Sequence, residues 1–170
     1  PIGMMALYIA KLRGASNIIM LGTSRDLKRL EVAKQIGATH ALNIEADDPV
    51  EFVRSLGDGF GVDLVVDCTG VSIALKSAME MVRPNGIITK IGWGPQPLNF
   101  SLDPMVQKAV TLQGTFSHLY STWERVLGLL SSRQIDLAPV VGGVYPISDW
   151  EVAFEEMEAG NNVKSVLLPA

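Results

Sequence analysis

The sequence is poor in the side chains that bind transition metals or form disulfides. Its 170 residues include one cysteine and two histidines, Cys68, His40 and His118, which lie far apart in the chain. A single cysteine excludes an internal disulfide, and none of the short ligand spacings of zinc sites occurs. We therefore predict no metal site within this chain, a packing role for Cys68 and structural roles for both histidines.

Positive charge and long apolar runs are also scarce. The formal net charge is -4, so clustered Lys and Arg do not offer the phosphate contacts that nucleic-acid binding requires. No apolar run approaches the ~18 residues of a membrane span, and no signal peptide is evident. Hydrophobic residues nevertheless make up 48% of the chain, which is typical of a globular protein. We predict a cytoplasmic protein that binds neither nucleic acid nor membrane.

The first 25 residues indicate a ligand site at the end of a strand. Residues 4–12 have the pattern of a helix packed against a sheet, and Gly14 ends it. Residues 18–21 form an apolar run of strand length. A polar segment, residues 22–25, follows at its carboxyl end, where open α/β sheets bind ligands. We call this segment the hook. It belongs to the second half of a nucleotide-binding βαβ unit, whose first strand and first two glycines we expect upstream of Pro1.

Further apolar runs near residues 41, 62, 87 and 110 alternate with helical patterns. This alternation predicts an α/β fold with a doubly wound parallel sheet, helices on both faces and the first strand absent from this chain. The rhythm is missing from residues 139–146. We therefore assign residues 1–135 to one domain and expect residues 136–170 to return towards a domain outside this chain.

Shorter patterns predict the ends of individual elements. Asp48, followed by a proline, has the form of a helix N-cap, and Asp26 can cap the helix after the hook. Residues 121–124 and 148–151 both read as capping boxes. Residues 83–86 predict a turn.

Residues 97–102 alternate apolar and polar side chains at the period of a strand. Leu98, Phe100 and Leu102 would form one apolar row on an exposed sheet edge. Soluble proteins usually cover such an edge. The segment therefore predicts an interface.

Six motifs occur in order along the chain: PIG at 1–3, GA at 14–15, RLEVAKQIGA at 29–38, VVDCTG at 65–70, VRPNG at 82–86 and KSVLL at 164–168. Together they resemble the medium-chain dehydrogenase/reductase family, and most closely its zinc-containing alcohol and polyol dehydrogenases of the sorbitol and threonine dehydrogenase type. The resemblance implies a Rossmann NAD(P)-binding domain over residues 1–135.

The same resemblance implies a two-domain enzyme that transfers hydride between a secondary alcohol, or its ketone, and NAD or NADP. Zinc would polarise the substrate oxygen in the full-length enzyme only. In the family, its ligands and the proton relay come mainly from a preceding domain, and nothing in this chain matches them. The resemblance also implies that residues 97–102 join two subunits across a two-fold axis, as a homodimer or within a homotetramer.

The hook predicts which of the two cofactors binds. An NAD enzyme usually places Asp or Glu at the end of this strand, where the carboxylate accepts from ribose hydroxyls and would repel a 2′-phosphate. Here the position holds Gly22. Thr23 and Ser24 can donate to a phosphate, and Arg25 can pair with it. The hook therefore predicts NADP, with NAD possible; the alternative is a polar loop whose Arg25 faces solvent.

The remaining cofactor contacts follow from the resemblance. It places Ile2 and Gly3 at the third glycine of the phosphate-binding fingerprint, where backbone N–H groups face the pyrophosphate. It places Lys164 at a basic position near the pyrophosphate, although a solvated lysine is an equal alternative. The other candidates lie at the ends of later strands and are Cys68, Thr69, Ile91, Gly92, Trp93 and Thr115. Trp93 could equally be a loop aromatic that covers the core.

Three functions remain open from the sequence. The first is an alcohol or polyol dehydrogenase, the second a zinc-free quinone oxidoreductase, and the third a non-catalytic module that senses NADP. Cysteine and histidine ligands in the expected preceding domain would separate the first two. Turnover by the full-length protein would exclude the third.

Overall fold

The structure, a computed structural model, describes all residues 1–170. The helices are α1 (Ile2–Leu12), α2 (Leu27–Ile36), α3 (Pro49–Ser55), α4 (Ser72–Met81), α5 (Asp103–Gln107), α6 (Tyr120–Ser131) and α7 (Trp150–Glu158). The strands are β1 (Ile19–Gly22), β2 (His40–Asn43), β3 (Val62–Asp67), β4 (Val82–Lys90), β5 (Thr111–Gly114), β6 (Val141–Pro146) and β7 (Lys164–Leu168). None of these helices combines the length and the apolar character needed to cross a membrane.

All strand pairs are parallel, and they form three sheets: β1–β2, β3–β4–β5 and β6–β7. The first two sheets contain the pairings that the doubly wound order 3-2-1-4-5-6 retains when its first strand is left out. The α/β class with parallel sheets is thus confirmed. By its contacts the chain divides into unit 1, residues 1–47 with 118–170, and unit 2, residues 48–117.

The core of unit 1 forms around α1 and α2. Met4, Leu7 and Tyr8 of α1 are buried in one cluster with Ala33 and Ile36 of α2. This burial is what the helical spacing of their apolar side chains predicts. The remaining buried members of the cluster come from the β1 side and from the C-terminal part of the chain: Ile18, Ile135, Val140 and Val163.

The core of unit 2 forms between α4 and the sheet β3–β4–β5. Its buried members are Leu75, Ala78, Met79, Val82, Ile88 and Val110. The Lys108 ammonium donates to the carbonyls of Met79, Glu80 and Val82, at 2.8, 3.2 and 2.9 Å. It thereby satisfies carbonyl groups that the end of α4 leaves without helical partners. Burial lowers the pKa of Lys108.

The βα rhythm continues to the end of the chain, contrary to the prediction for residues 139–146. These residues contain β6, which pairs in parallel with β7, and α7 connects the two strands. Gly142, Gly143 and Pro146 weaken the strand pattern in this stretch, because glycine and proline are depleted in strands. The fold therefore overrides local propensity here.

Of the predicted N-caps, only one makes its side-chain hydrogen bonds. The Asp48 carboxylate accepts from two N–H groups in the first turn of α3, at 2.8 and 3.1 Å. Both predicted capping boxes are wrong, since α6 and α7 begin at Tyr120 and Trp150 without a side-chain cap. The Ser148 hydroxyl donates instead to the Asp149 carboxylate, at 2.7 Å.

The turn predicted at residues 83–86 lies inside β4. The register between β3 and β4 shifts at this point, and Asn85 has a φ of 60°. Asparagine tolerates this left-handed conformation better than most residues. The local geometry is that of a turn, but the strand continues through it.

The edge strand predicted at residues 97–102 does not form. Phe100 packs against the core of unit 2, whereas Leu98 and Leu102 are 43% and 39% exposed. The three side chains therefore do not form one row on an edge. Alternation over six residues was too short a pattern to distinguish a strand from a loop that anchors one aromatic ring.

Candidate cofactor-binding site

The hook begins at Gly22, the last residue of β1, and hydrogen bonds to Asp26 fix its conformation. A 3-10 helix, Ser24–Asp26, connects Gly22 to α2. The Asp26 carboxylate accepts from the Thr23 N–H at 3.1 Å and from the Thr23 hydroxyl at 2.9 Å. The prediction that Asp26 caps α2 with its side chain is therefore wrong. Burial raises the pKa of Asp26, but the bonds from Thr23 and an ion pair with Arg29 at 2.9 Å outweigh it and leave that pKa below its ordinary value.

Gly22 is required by the packing of the hook. A Cβ added at this position would lie 2.9 Å from the Asp26 Cβ and 3.3 Å from the Leu30 side chain. Any side chain here, an acidic one included, would force the hook away from α2. The close packing of this segment therefore explains why no carboxylate side chain stands at the end of β1.

Two arginines connect the hook region to the C-terminal end of α7. Arg25 Nη2 donates to the Glu158 carbonyl at 2.9 Å, and Arg29 donates to the carbonyls of Met157 and Asn162. Helix α7 has no basic residue in its own last turn, so the arginines satisfy carbonyls at its end. A polar cleft of about 300 Å³ lies here, lined by Thr23, Arg25, Asp26, Arg29, Met157 and Glu158.

Sequence reasoning missed an acidic side chain at the hook, Glu45. Its carboxylate accepts from the Ser24 N–H at 3.0 Å. The Ser24 hydroxyl is bound as well, because it accepts from the Asn43 amide at 3.0 Å. Gly22 pairs with Asn43 in the β1–β2 register, so adjacent parallel strands bring the segment after β2 beside the hook. An acidic residue shortly after the second strand was the signal that could have indicated Glu45.

In unit 2, the end of β3 is organised around a buried ion pair that sequence reasoning also missed. Asp67 is 4% exposed, and its carboxylate accepts from the Lys90 ammonium at 2.9 Å. It also accepts from the Thr69 N–H at 2.9 Å and from the Thr69 hydroxyl at 2.8 Å. Burial raises the pKa of Asp67, but the bonds from Lys90 and Thr69 outweigh it and leave that pKa below its ordinary value.

The segments after β3 and β4 touch through their backbones. The N–H groups of Ile91 and Gly92 both donate to the Asp67 carbonyl, at 2.8 and 2.9 Å. A Cβ added at Gly92 would lie 2.3 Å from the Gly70 nitrogen, and one at Gly70 would lie 2.6 Å from the Trp93 oxygen. Glycines thus let the two backbone segments pack directly against each other without intervening side chains. Gly70 also has a φ of +76°.

The side chains on these two segments and after β5 differ in exposure. Cys68 is partly buried, and burial and the charge of Asp67 raise its pKa, in line with a packing role. Trp93 is 83% exposed, so it does not cover the core of unit 2; its ring meets that of Phe116 edge to face at 6.3 Å. Thr115 follows β5 and is exposed, and its N–H donates to the Lys90 carbonyl at 3.1 Å.

The three candidates for the pyrophosphate lie in unit 1. Ile2 and Gly3 open α1, and Lys164 opens β7 with its side chain exposed. A Cβ added at Gly3 would meet only the Met20 methyl, at 3.4 Å, so the packing of α1 does not by itself require glycine. The structure gathers the hook residues in unit 1 and the strand-end residues in unit 2. The cofactor contacts themselves stay predictions.

A parallel α/β chain with glycine-rich and polar segments at its strand ends is a domain of the Rossmann dinucleotide-binding class. Residues 1–132 match the family model described as zinc-binding dehydrogenase. The chain belongs to this family, and the resemblance drawn from its motifs is confirmed.

Named relatives agree with this assignment. The chain is 37% identical over 171 residues to an L-threonine 3-dehydrogenase of Bacillus subtilis, and 32% identical over 170 residues to a sorbitol dehydrogenase of Halalkalibacterium halodurans. Each alignment covers 99% of this chain and 49% of the relative. The alcohol dehydrogenase TADH from Thermus sp. ATN1 superposes with a TM-score of 0.91 at 30% identity, over 100% of this chain and 50% of that one. The chain thus spans about half the length of the curated relatives it matches.

The zinc in the family description finds no ligand set within residues 1–170. No group of three or more His, Cys, Asp or Glu side chains is placed to hold a metal ion. A tetrahedral zinc site needs three or four such donors. The residues of this chain therefore do not fit the metal.

Proposed function

We propose that this chain is the cofactor-binding portion of an oxidoreductase that transfers hydride between NAD(P) and a secondary alcohol or polyol. The family match along residues 1–132 carries the proposal. The cofactor would supply the chemistry of hydride transfer, and the hook of unit 1 would help to bind and orient it. Sorbitol and threonine dehydrogenases among the relatives support a small alcohol or ketone substrate rather than a quinone. Zinc would act in the full-length enzyme through ligands outside this chain.

NADP is the cofactor that the hook favours. Gly22 leaves no carboxylate at the end of β1. The Arg25 side chain is exposed and makes one hydrogen bond, to a carbonyl, so its remaining N–H groups are available for a phosphate. Arginine can bind a phosphate through two parallel N–H bonds. A 2′-phosphate is the one group by which NADP differs from NAD.

Replacing Arg25 with alanine in the full-length enzyme should weaken NADP binding by about tenfold and leave NAD binding almost unchanged. A charge-assisted hydrogen bond contributes about 1.5–3 kcal/mol, and only NADP would lose one. Calorimetric titration with both cofactors measures the effect. Lys28→Ala is the matched control, because Lys28 is an exposed cation on the next turn that donates to Asn161. An equal loss for the two cofactors would refute the role of Arg25.

We also propose that the enzyme is a homodimer or homotetramer joined through residues 97–102. The exposed leucines of this segment support an interface, whereas Phe100 is engaged in the core of unit 2. Leu98→Glu should shift the full-length enzyme towards monomers in sedimentation, because a two-fold contact brings the new charge against its own copy. Val106→Glu, at another exposed apolar position of unit 2, serves as the control. A Leu98→Glu variant that keeps the native oligomer at micromolar concentration would exclude this interface.

A further inference from the structure

We propose that Glu45 is a cofactor-specificity residue, whose carboxylate opposes a 2′-phosphate at the hook and accepts from a ribose hydroxyl instead. This inference rests on the proposed function, since it concerns the same cofactor site. The Ser24 N–H donates a hydrogen bond to Glu45 Oε2, at 3.0 Å. An N–H group binds one good acceptor at a time. A phosphate that takes this donor must therefore displace the carboxylate.

The backbone of Glu45 is held in place by Asn43. The Asn43 side-chain oxygen accepts from the Glu45 N–H at 3.1 Å, and its amide nitrogen donates to the Ser24 hydroxyl at 3.0 Å. The Asn43 carbonyl accepts from the N–H groups of Ala46 and Asp47, at 2.9 and 2.8 Å, which closes the turn. Glu45 thus reaches the hook from a fixed turn beside it.

Glu45 differs from the other carboxylate at the hook in having no cation as partner. The Asp26 charge is compensated by Arg29, at 2.9 Å. The Glu45 carboxylate forms no ion pair, and its side chain is exposed. Hydrogen bonds from Ser24 lower the pKa of Glu45. It is therefore charged at neutral pH, and a 2′-phosphate, which carries about -1.5 to -2 charges, would meet an uncompensated negative charge.

Glu45 and Arg25 would then act in opposite directions on the same phosphate. Arg25 attracts it, while Glu45 repels it and can accept a hydrogen bond from the free hydroxyl of NAD. The position of the acid differs from the usual one, because the carboxylate comes from the segment after β2 and not from the end of β1. The crowding at Gly22 excludes a side chain at the usual position.

The experiment compares calorimetric titrations of the full-length enzyme and of Glu45→Gln with NADP and with NAD. Glutamine keeps the shape and an acceptor oxygen for the Ser24 N–H but removes the charge. We expect about five- to tenfold tighter binding of NADP, since the like charge that repels the phosphate is removed. NAD binding should stay within about threefold, because only one hydrogen bond weakens. The gain for NADP should shrink at high salt, where exposed charges are screened.

Glu31→Gln is the matched control, because Glu31 is an exposed acid on α2 whose partner is Lys34. Its ratio of NADP to NAD affinity should equal that of the unmodified enzyme. A Glu45→Gln variant whose ratio changes less than about twofold, or whose gain is insensitive to salt, would overturn the role of Glu45 while the proposed function stands. Failure of the unmodified enzyme to bind either cofactor would overturn both.

Discussion

Gly92→Ala is expected to destabilise the protein by about 3 kcal/mol and to weaken cofactor binding by at least about tenfold. The new methyl group would lie 2.3 Å from the Gly70 nitrogen and 2.6 Å from the Thr69 nitrogen. Both are backbone atoms, so no side chain can turn away to make room. The two segments would have to separate, which strains the bonds from Ile91 and Gly92 to the Asp67 carbonyl. Urea denaturation and cofactor titration measure the two losses.

Gly114→Ala is the matched control for this variant. Gly114 lies in the same unit, at the end of β5, and an added Cβ would meet no heavy atom within 4 Å. Its effect on the free energy of unfolding should stay within about 0.5 kcal/mol. If Gly92→Ala is as stable as Gly114→Ala and binds cofactor as tightly, the backbone contact after β3 and β4 does not shape the site.

The sequence predicted the fold well wherever the pattern of apolar residues was long. The helix at α2 follows from the helical spacing of apolar residues that are buried on one face, and the strand at β3 follows from an apolar stretch that only Asp63 interrupts. Predictions based on three or four residues did less well. The capping motifs before α6 and α7 are common combinations of polar residues, and Ser148 finds a closer acceptor in Asp149. A cap depends on backbone direction, which four residues do not determine.

At the candidate site, the sequence indicated which segments carry candidate residues but not which side chains contact one another. It identified the hook because ligand sites lie at the carboxyl ends of parallel strands, and it identified the ends of β3 and β4 through the family resemblance. It missed Glu45 and the Asp67–Lys90 pair, since these contacts join residues 21 and 23 positions apart. Such contacts depend on strand register, which a single sequence does not reveal. Asp67 was visible only as the last residue of an apolar strand.

Lys90→Met is expected to lower the free energy of unfolding by about 3 kcal/mol, more than Asp67→Asn. Removing the ammonium leaves the Asp67 carboxylate, whose side chain is 2% exposed, without its cation, and breaking a buried pair in this way costs about 3–5 kcal/mol. Lys90 retains 27% exposure, so water can compensate in part and the lower end applies. Asp67→Asn removes the charge itself and should cost about 1.5–2 kcal/mol, the low end for a charge-assisted bond, because the amide oxygen can still accept a hydrogen bond. Urea denaturation at neutral pH measures both variants and the double variant. The double variant should be more stable than the sum of the two losses implies, because the residues act as a pair.

The same pair predicts how stability depends on pH. Because the pKa of Asp67 is lower in the folded protein than its ordinary value, its stabilising contribution is complete above the pKa of the unfolded chain and is lost as the pH falls through the folded pKa. The stability advantage of the unmodified protein over Asp67→Asn should therefore be constant above about pH 5 and shrink below about pH 4. Denaturation series between about pH 7 and pH 3 test this difference.

The exposed pair of Lys34 and Glu31 provides the comparison, since Glu31→Gln should change stability by less than about 1 kcal/mol at every pH. If the free energies of unfolding of Asp67→Asn and the unmodified protein differ by the same amount at both ends of this pH range, the carboxylate is not stabilised by its partners. The backbone contacts alone would then hold the end of β3.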